Sequence, residues 1–335
     1  MAAVRLLVTG GAGFIGSHFV RQLLAGAYPD LAAEEVIVVD SLTYAGSRTN
    51  LAPVSGDPRL RFVHGDVCDA DLLARALRGV EAVVHFAAES HVDRSIAGAS
   101  VFTRTNVLGT QTLLQCALDA GVDRMVHVST DEVYGSIDTG SWTEDCPLEP
   151  NSPYAASKAG SDLLARAYHR THGLDVRVTR CCNNYGPYQH PEKLIPLFVT
   201  NLLEGEKLPL YGDGGNVREW VHTDDHCRGI ALVLAGGRAG EVYHIGGGRE
   251  LSNRELTGLL LEFFEADWSS VRPVADRKGH DLRYSLDGGK IARELGYRPR
   301  VDFAEGLART VRWYRDNRNW WKPLKPASRA AGVGS

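Results

Sequence analysis

The chain has 335 residues, 37 basic and 41 acidic, for a formal net charge of −4 at pH 7. That length is too great for a small stapled module and suits two domains or one large α/β unit. The near balance of charge, with no polybasic run, excludes a broad nucleic-acid footprint and points to a small-molecule ligand, while apolar runs such as residues 80–88 fall short of the roughly 18 residues of a membrane span.

Met1-Ala2-Ala3-Val4-Arg5 leads straight into a strand rather than a secretory leader, so the expected location is cytoplasmic. Short β-branched runs over residues 4–8, 35–40, 61–64, 82–87, 125–129 and 176–180 alternate with helical patterns. Continuous Val and Ile, as in Val36-Ile37-Val38-Val39, suits strands buried on both faces of a parallel sheet. The expected fold is therefore α/β, a Rossmann-like doubly wound parallel sheet. Residues 105–120 read as an amphipathic helix, and residues 152–172 as a long one with Pro153 near its first turn and Gly173 at its end.

Beyond about residue 180 the pattern loosens into loops rich in Gly, Pro and Asn, with shorter helices near residues 193–204, 224–235, 253–265 and 303–317. The expected division is a dinucleotide-binding domain over 1–182, with possible later returns of the chain to the sheet, and a smaller, mainly helical substrate-binding domain over 183–324. A disordered tail is expected over 325–335. Six cysteines, at 68, 116, 146, 181, 182 and 227, include no C-x-x-C pair, so neither disulfide staples nor a metal site is expected.

The first strand runs into Thr9-Gly10-Gly11-Ala12-Gly13-Phe14-Ile15-Gly16, then into a helix expected to start near Ser17. Gly11, Gly13 and Gly16 give G-x-G-x-x-G, and Gly10, Gly13 and Gly16 give the related G-x-x-G-x-x-G. Glycines here allow a tight turn and bring backbone N–H groups to a pyrophosphate at the positive end of a helix. Asp40 closes the next strand, where an acid accepts hydrogen bonds from adenosine ribose hydroxyls and repels a 2′-phosphate, favouring NAD over NADP. Asp66-Val67 after the third strand suits the adenine. Phe86-Ala87-Ala88-Glu89-Ser90 ends the fourth strand, and its small residues suit either close passage of a cofactor or tight packing.

Two segments carry the chemistry. Ser129-Thr130-Asp131-Glu132-Val133-Tyr134-Gly135 offers a hydroxyl and two adjacent carboxylates at the end of the fifth strand. Tyr154-Ala155-Ala156-Ser157-Lys158 places a phenol and an amine one helical turn apart. Lys158 is expected to lower the phenol pKa and hold a nicotinamide ribose, leaving Tyr154 to take a proton from a substrate hydroxyl. Simple alcohol oxidation has no use for both Asp131 and Glu132, so a second chemical event is indicated.

At these residues the chain resembles the extended short-chain dehydrogenase/reductases and, within them, the dTDP-glucose 4,6-dehydratase family. The likeness runs from the glycine turn through His91-Val92-Asp93-Arg94-Ser95, Asn183-Asn184-Tyr185-Gly186-Pro187, Pro191-Glu192-Lys193-Leu194, Arg218-Glu219-Trp220 and residues 276–284. Thr-Asp-Glu before Val-Tyr-Gly is the dehydratase mark; a UDP-sugar 4-epimerase or decarboxylase needs no such acid–base pair.

The resemblance implies that Tyr154 and Lys158 serve oxidation at C4 of the glucose. Glu132 would then take the C5 proton, Asp131 protonate the departing C6 hydroxyl and Thr130 assist, yielding the 4-keto-6-deoxy sugar nucleotide with NAD retained. It adds Phe14, Ile15, Ser41, Leu42, Thr43, Thr105, Ser129 and Asn184 to the cofactor set. For the nucleotide-sugar substrate it implies Ser90, Thr130, Asn183, Lys193, Leu194, Pro209, Tyr211, Arg218, Asn253, Arg277 and His280. Arg218 and Arg277 suit a pyrophosphate as charge-assisted forks, and Tyr211 the base. Lys278 stands where the family often has Pro, and Cys182 where it often has Ser. A homodimer is implied, built from the helices over 105–120 and 152–172 and their copies.

Overall fold

The expected β-branched runs form the centre of the computed structural model, which describes residues 3–325. Six strands, β1 (Val4–Thr9), β2 (Ala33–Asp40), β3 (Leu60–His64), β4 (Ala82–His85), β5 (Arg124–Thr130) and β6 (Val176–Cys181), pair in parallel. The remaining strands are short: β7 (Asn183–Tyr185), β8 (Leu208–Tyr211), β9 (Val217–His222), β10 (Val242–Ile245), β11 (Arg249–Ser252) and β12 (Val271–Val274). The central sheet has seven strands in the order β10-β6-β5-β4-β1-β2-β3. Strand order reverses between β1 and β4, which opens a crevice beyond their carboxyl ends where ligands of such sheets bind.

Alternate side chains along each strand feed two cores. Leu6, Val8, Val36, Val38 and Val126 pack on one face with α1 (Phe14–Leu24). Leu7, Ile37, Val39, Val83 and Met125 pack on the other with α2 (Ala70–Ala76). Each fully buried aliphatic side chain contributes roughly 1.5–3 kcal/mol by leaving water. After β4 come α3 (Val92–Ala97), a single turn α4 (Ser100–Phe102), a π-helical turn over Thr103–Leu108, and α5 (Gly109–Asp119). The helix expected over 105–120 is thus interrupted at its start. The wide turn aims Asn106 inward, where Nδ2 donates to the Glu89 carbonyl at 3.0 Å and to Ser157 Oγ at 2.8 Å. Such π segments recur at functional sites.

The long helix α6 (Pro153–His172) starts as its sequence dictates. Ser152 Oγ accepts the Ala155 N–H at 3.1 Å, Pro153 occupies the first turn and Gly173 closes the helix with φ +72°.

The second half contains α7 (Leu194–Glu204), α8 (Thr223–Gly236), α9 (Asn253–Phe263), α10 (Gly289–Leu295) and α11 (Phe303–Asp316). Helices α7, α9 and α11 share their own core around Phe198, Leu256, Leu260, Leu307 and Tyr314. Helix α8 instead joins the β1 face of the large sheet through Ile230, Val233 and Leu234, and β10 extends that sheet alongside β6. The chain therefore crosses back to the sheet after residue 183. Strands β7, β9 and β11 make a small mixed sheet, and β8 pairs in parallel with β12. Of the expected tail, Lys325 ion-pairs with Glu204 at 2.5 Å and Glu206 at 2.9 Å; residues 326–335 lie outside the described residues.

Candidate active site

Two cavities meet above the carboxyl ends of the sheet. The first is lined by Gly10, Gly13, Phe14, Ile15 and Gly16 at the β1–α1 turn, Asp40, Ser41 and Thr43 after β2, and Asp66 and Val67 after β3. Phe86, Ala87, Ala88, Ser90, Thr105, Ser129, Tyr154, Lys158 and Asn184, all of the expected cofactor set, follow along its wall, with Thr130 of the expected catalytic and substrate sets beside them. The second is lined by Ser90, Asn183, Lys193, Leu194, Pro209, Tyr211, Arg218, Asn253, Arg277 and His280. Ser90, Glu132, Asn183, Glu192 and Lys193 line both, so Glu132 stands at the junction.

The glycine turn is built for backbone approach. Gly10 has φ +68°, and a Cβ there would lie 2.6 Å from the Ala87 nitrogen; one on Gly16 would lie 2.3 Å from the Gly10 carbonyl oxygen. Helix α1 begins at Phe14 rather than near Ser17, with Gly13 as an N-cap that brings no side chain to the free N–H groups and no acid in the first turn. A helix end left bare in this way offers its N–H groups and positive dipole to an anion. The residues fit a dinucleotide's pyrophosphate.

One residue of the expected cofactor set, Leu42, falls outside the cavity lining. Its backbone turns left-handed at φ +52°, its N–H donates to Asp40 Oδ1 at 2.8 Å, and its side chain packs on the sheet core. Asp40 does line the cavity; it also holds the Ala12 N–H on Oδ2 at 2.9 Å, which ties the glycine turn to the end of β2 and leaves each carboxylate oxygen further acceptor capacity for a ribose hydroxyl.

The catalytic segments converge from two directions. Strand β5 ends at Thr130, and a 3₁₀ turn over Asp131–Tyr134 follows. Thr130 Oγ1 accepts the Glu132 N–H at 3.3 Å and donates to Asp131 Oδ1 at 3.2 Å. Asp131 is buried and its Oδ2 has no hydrogen-bond partner among the described residues. Burial, then the neighbouring charges of Glu132 and Glu219, push its carboxyl well above the usual range. Burial also raises Glu132, against the opposing pull of Lys193 and Arg218. Two adjacent acids thus occupy different settings: Asp131 is buried and lines the first cavity, whereas Glu132 is half-buried and lines both.

On α6, Lys158 Nζ donates to the Val128 carbonyl at 2.8 Å and burial pushes its ammonium down to about 8. Tyr154 lies one turn before Lys158 on the same helix. Burial and the charge of Glu132 push the phenol well up, and the counteracting hydrogen bond comes from Thr130.

The two arginines are already engaged. Arg218, buried, donates Nη1 to the Val217 carbonyl at 2.7 Å and Nη2 to that of Asp281 at 2.9 Å, beneath the Tyr284 ring. A buried guanidinium needs such partners, and with these bonds made Arg218 still lines the second cavity. Arg277 grips Asp93 instead. Lys193 Nζ donates to the Ser90 carbonyl at 2.7 Å, and His280 Nδ1 lies 2.6 Å from Asp276 Oδ1. Glu192 and Asp93, which the sequence reading quoted but did not assign, are thereby part of the site; no local pattern marks either one. The six cysteines are free thiols, and Cys181 and Cys182 line the first cavity.

The model of the family described as GDP-mannose 4,6 dehydratase matches residues 7–310. The chain is similar to the dTDP-glucose 4,6-dehydratase of Streptomyces antibioticus, 65% identical over 331 residues that cover 98% of each chain. It is 60% identical to that of Streptomyces niveus over 329 residues, again 98% of each. Among solved structures, a crystal structure of dTDP-glucose 4,6-dehydratase from Streptomyces venezuelae with NAD bound matches with a TM-score of 0.95 at 86% identity, covering 96% of this chain and 100% of that one. UDP-glucose 4-epimerase from Thermotoga maritima matches with a TM-score of 0.84 at 34% identity, covering 93% and 99%.

Proposed function

We infer that the chain, which belongs to the GDP-mannose 4,6 dehydratase family and within it to the dTDP-glucose 4,6-dehydratases, converts dTDP-glucose to dTDP-4-keto-6-deoxyglucose and water. It is an NAD-dependent lyase, and its product is a precursor for deoxysugars. The observation that carries this reading is the place of Glu132 at the junction of the two cavities, next to an enclosed Asp131 with a free carboxyl oxygen.

Bound NAD supplies a hydride acceptor for C4 and later a donor for C6, so it is regenerated in each turnover. We assign the proton transfers to this chain's residues. Tyr154 takes the proton of the C4 hydroxyl; Lys158, with one of its three donors on Val128, keeps two for a ribose and favours the phenolate by its charge. The C4 ketone acidifies the C5 proton, which Glu132 removes. Asp131, neutral in its buried setting, donates a proton to the C6 hydroxyl, so that the C6–O bond breaks as a C5–C6 double bond forms and water leaves. Glu132 then returns a proton to C5. Ser90, Asn183, Lys193, Leu194 and Pro209 flank the sugar and diphosphate, with Tyr211, Asn253 and His280 toward the nucleotide end.

We further propose a homodimer in which α5 and α6 meet their copies in a four-helix interface. Leu108, which leads into α5, and Leu163 on α6 are exposed apolar side chains on that surface, 52% and 54% accessible. We assign residues 183–324 mainly to substrate binding, and place the protein in the cytoplasm.

The test is to incubate purified protein with dTDP-glucose in deuterated water, without added NAD. A product lighter by one water and deuterated at C5 is expected. An epimer that retains the water would favour the 4-epimerase reading and remove the roles given to Asp131 and Glu132.

A further inference from the structure

Behind the ends of β5 and β6 lies a buried polar chain that none of the proton transfers uses. Asp162 lies on α6 one turn beyond Lys158 and two beyond Tyr154, with no exposed surface. Its Oδ2 accepts Arg180 Nε at 2.8 Å, and its Oδ1 lies 3.2 Å from His127 Nε2. Arg180, on β6 and also fully buried, donates Nη1 to the Tyr134 hydroxyl, and its guanidinium carbon lies 4.8 Å from the Tyr134 ring centroid. The Tyr134 hydroxyl is 2.7 Å from His244 Nε2 on β10, and its ring stacks on Trp142 at 5.5 Å. His244 is held in turn, its N–H on Glu144 and its Nδ1 3.1 Å from the Asp287 carbonyl oxygen.

The two ends of this chain are the two halves of the catalytic machinery. Asp162 shares its helix with Tyr154 and Lys158; Tyr134 closes the 3₁₀ turn that carries Asp131 and Glu132. A four-residue 3₁₀ turn has poor hydrogen-bond geometry of its own, and the Thr130 cap is long at 3.3 Å. Its orientation against α6 must come from side chains. A buried ion pair is weak evidence for stability, because desolvation offsets the attraction, and its best attested use is to specify register.

We propose that Asp162, Arg180 and Tyr134 are positioning residues that brace the 3₁₀ turn against α6, so that the groups for C4 oxidation and those for water loss address one sugar in one pose. None of the three touches substrate or cofactor in this scheme. The proposal rests on the dehydratase reading given above and adds to it what holds the two steps in mutual register.

Tyr134→Phe keeps the ring on Trp142 and removes only the hydroxyl that Arg180 and His244 share. Misplacement of catalytic groups by about 1 Å costs on the order of 100-fold, so a fall in kcat of about 10- to 100-fold is expected, with KM little changed. The deciding readout is isotopic. With dTDP-glucose deuterated at C5 the isotope effect on kcat should exceed that of the wild type, while with deuterium at C4 it should shrink. Arg180→Lys keeps the charge beside Asp162 but loses the fork; it should give the same pattern, and the double variant should be no worse than either alone. Both isotope effects unchanged, or activity lost only in proportion to folded, NAD-loaded protein, would overturn the brace; so would failure of both variants to fold. Wild-type protein that does not dehydrate dTDP-glucose would instead overturn the function itself.

Discussion

Arg277 holds Asp93 in a two-point fork, with Nε 2.6 Å from Oδ1 and Nη2 2.9 Å from Oδ2. The pair joins the segment after β4 to the segment after β12 across the second cavity, and Tyr211 reaches the same carboxylate at 3.4 Å. A substrate diphosphate that takes this guanidinium must replace Asp93. Arg277→Ala should therefore raise KM for dTDP-glucose about tenfold or more, from loss of a charge-assisted bond of roughly 1.5–3 kcal/mol, with kcat nearly unchanged. Asp93→Asn should tighten dTDP binding by about two- to tenfold. Titration calorimetry with dTDP checks both.

In the proposed mechanism Asp131 and Glu132 serve water loss alone, so Asp131→Asn and Glu132→Gln should spare C4 oxidation and slow the dehydration by about 10²- to 10⁴-fold. Release of a 4-keto sugar that still carries its C6 hydroxyl, seen by mass spectrometry, is the expected signature. Equal loss of both steps would contradict this division of roles.

The pH profile of kcat should fall on both sides. In the proposed mechanism Glu132 acts ionised, Lys158 as the ammonium and Asp131 as the neutral acid; burial raises Glu132, so the acid limb should lie above the ordinary carboxylate range and activity should drop as pH falls through it. Lys158 acts as the ammonium and is pushed down to about 8, so activity should drop as pH rises through about 8. Asp131, needed neutral and raised, loses its proton on the same alkaline side. Lys158→Arg, permanently charged, should remove the Lys158 limb and leave that of Asp131; an unmoved limb would assign it elsewhere.

Gly10→Ala places a Cβ 2.6 Å from the Ala87 nitrogen in a left-handed backbone at φ +68°. The variant should lose roughly 1–3 kcal/mol of stability and leave purification with little NAD. Melting temperature and nucleotide content by chromatography are the checks.

The sheet was legible because its strands are continuous runs of Val, Ile and Leu, the pattern that two-sided burial demands. Strands β7 to β12, three to six residues each, are too short to show a period, so the expected possibility of a later return to the sheet could not be assigned to β10. That Tyr154, Lys158, Asp131 and Glu132 line one cavity was legible because spacing fixes each pair: Tyr154 and Lys158 share one helix face, and Asp131 and Glu132 are adjacent. Geometry that depends on distant partners was not. Nothing near Leu42 reveals that Asp40 captures its N–H, nothing near Arg218 reveals that the carbonyls of Val217 and Asp281 take its fork, and Asn106 is turned inward by a π segment that an ordinary helical period hides.

Strand β10 hydrogen-bonds along β6 from Val242↔Val178 to Ile245↔Cys181, although the sixty residues 182–241 separate the two. The halves of this molecule are consequently not interchangeable cassettes. A recombinant that joined residues 1–182 of this chain to the second half of a relative would import a foreign edge strand, and a fragment ending at 182 would present β6 as an open, ladder-ready border, an invitation to self-association. Donor segments for altered sugar preference are better drawn from the loops around β8 and β12, whose two-stranded pairing stands apart from the seven-stranded sheet.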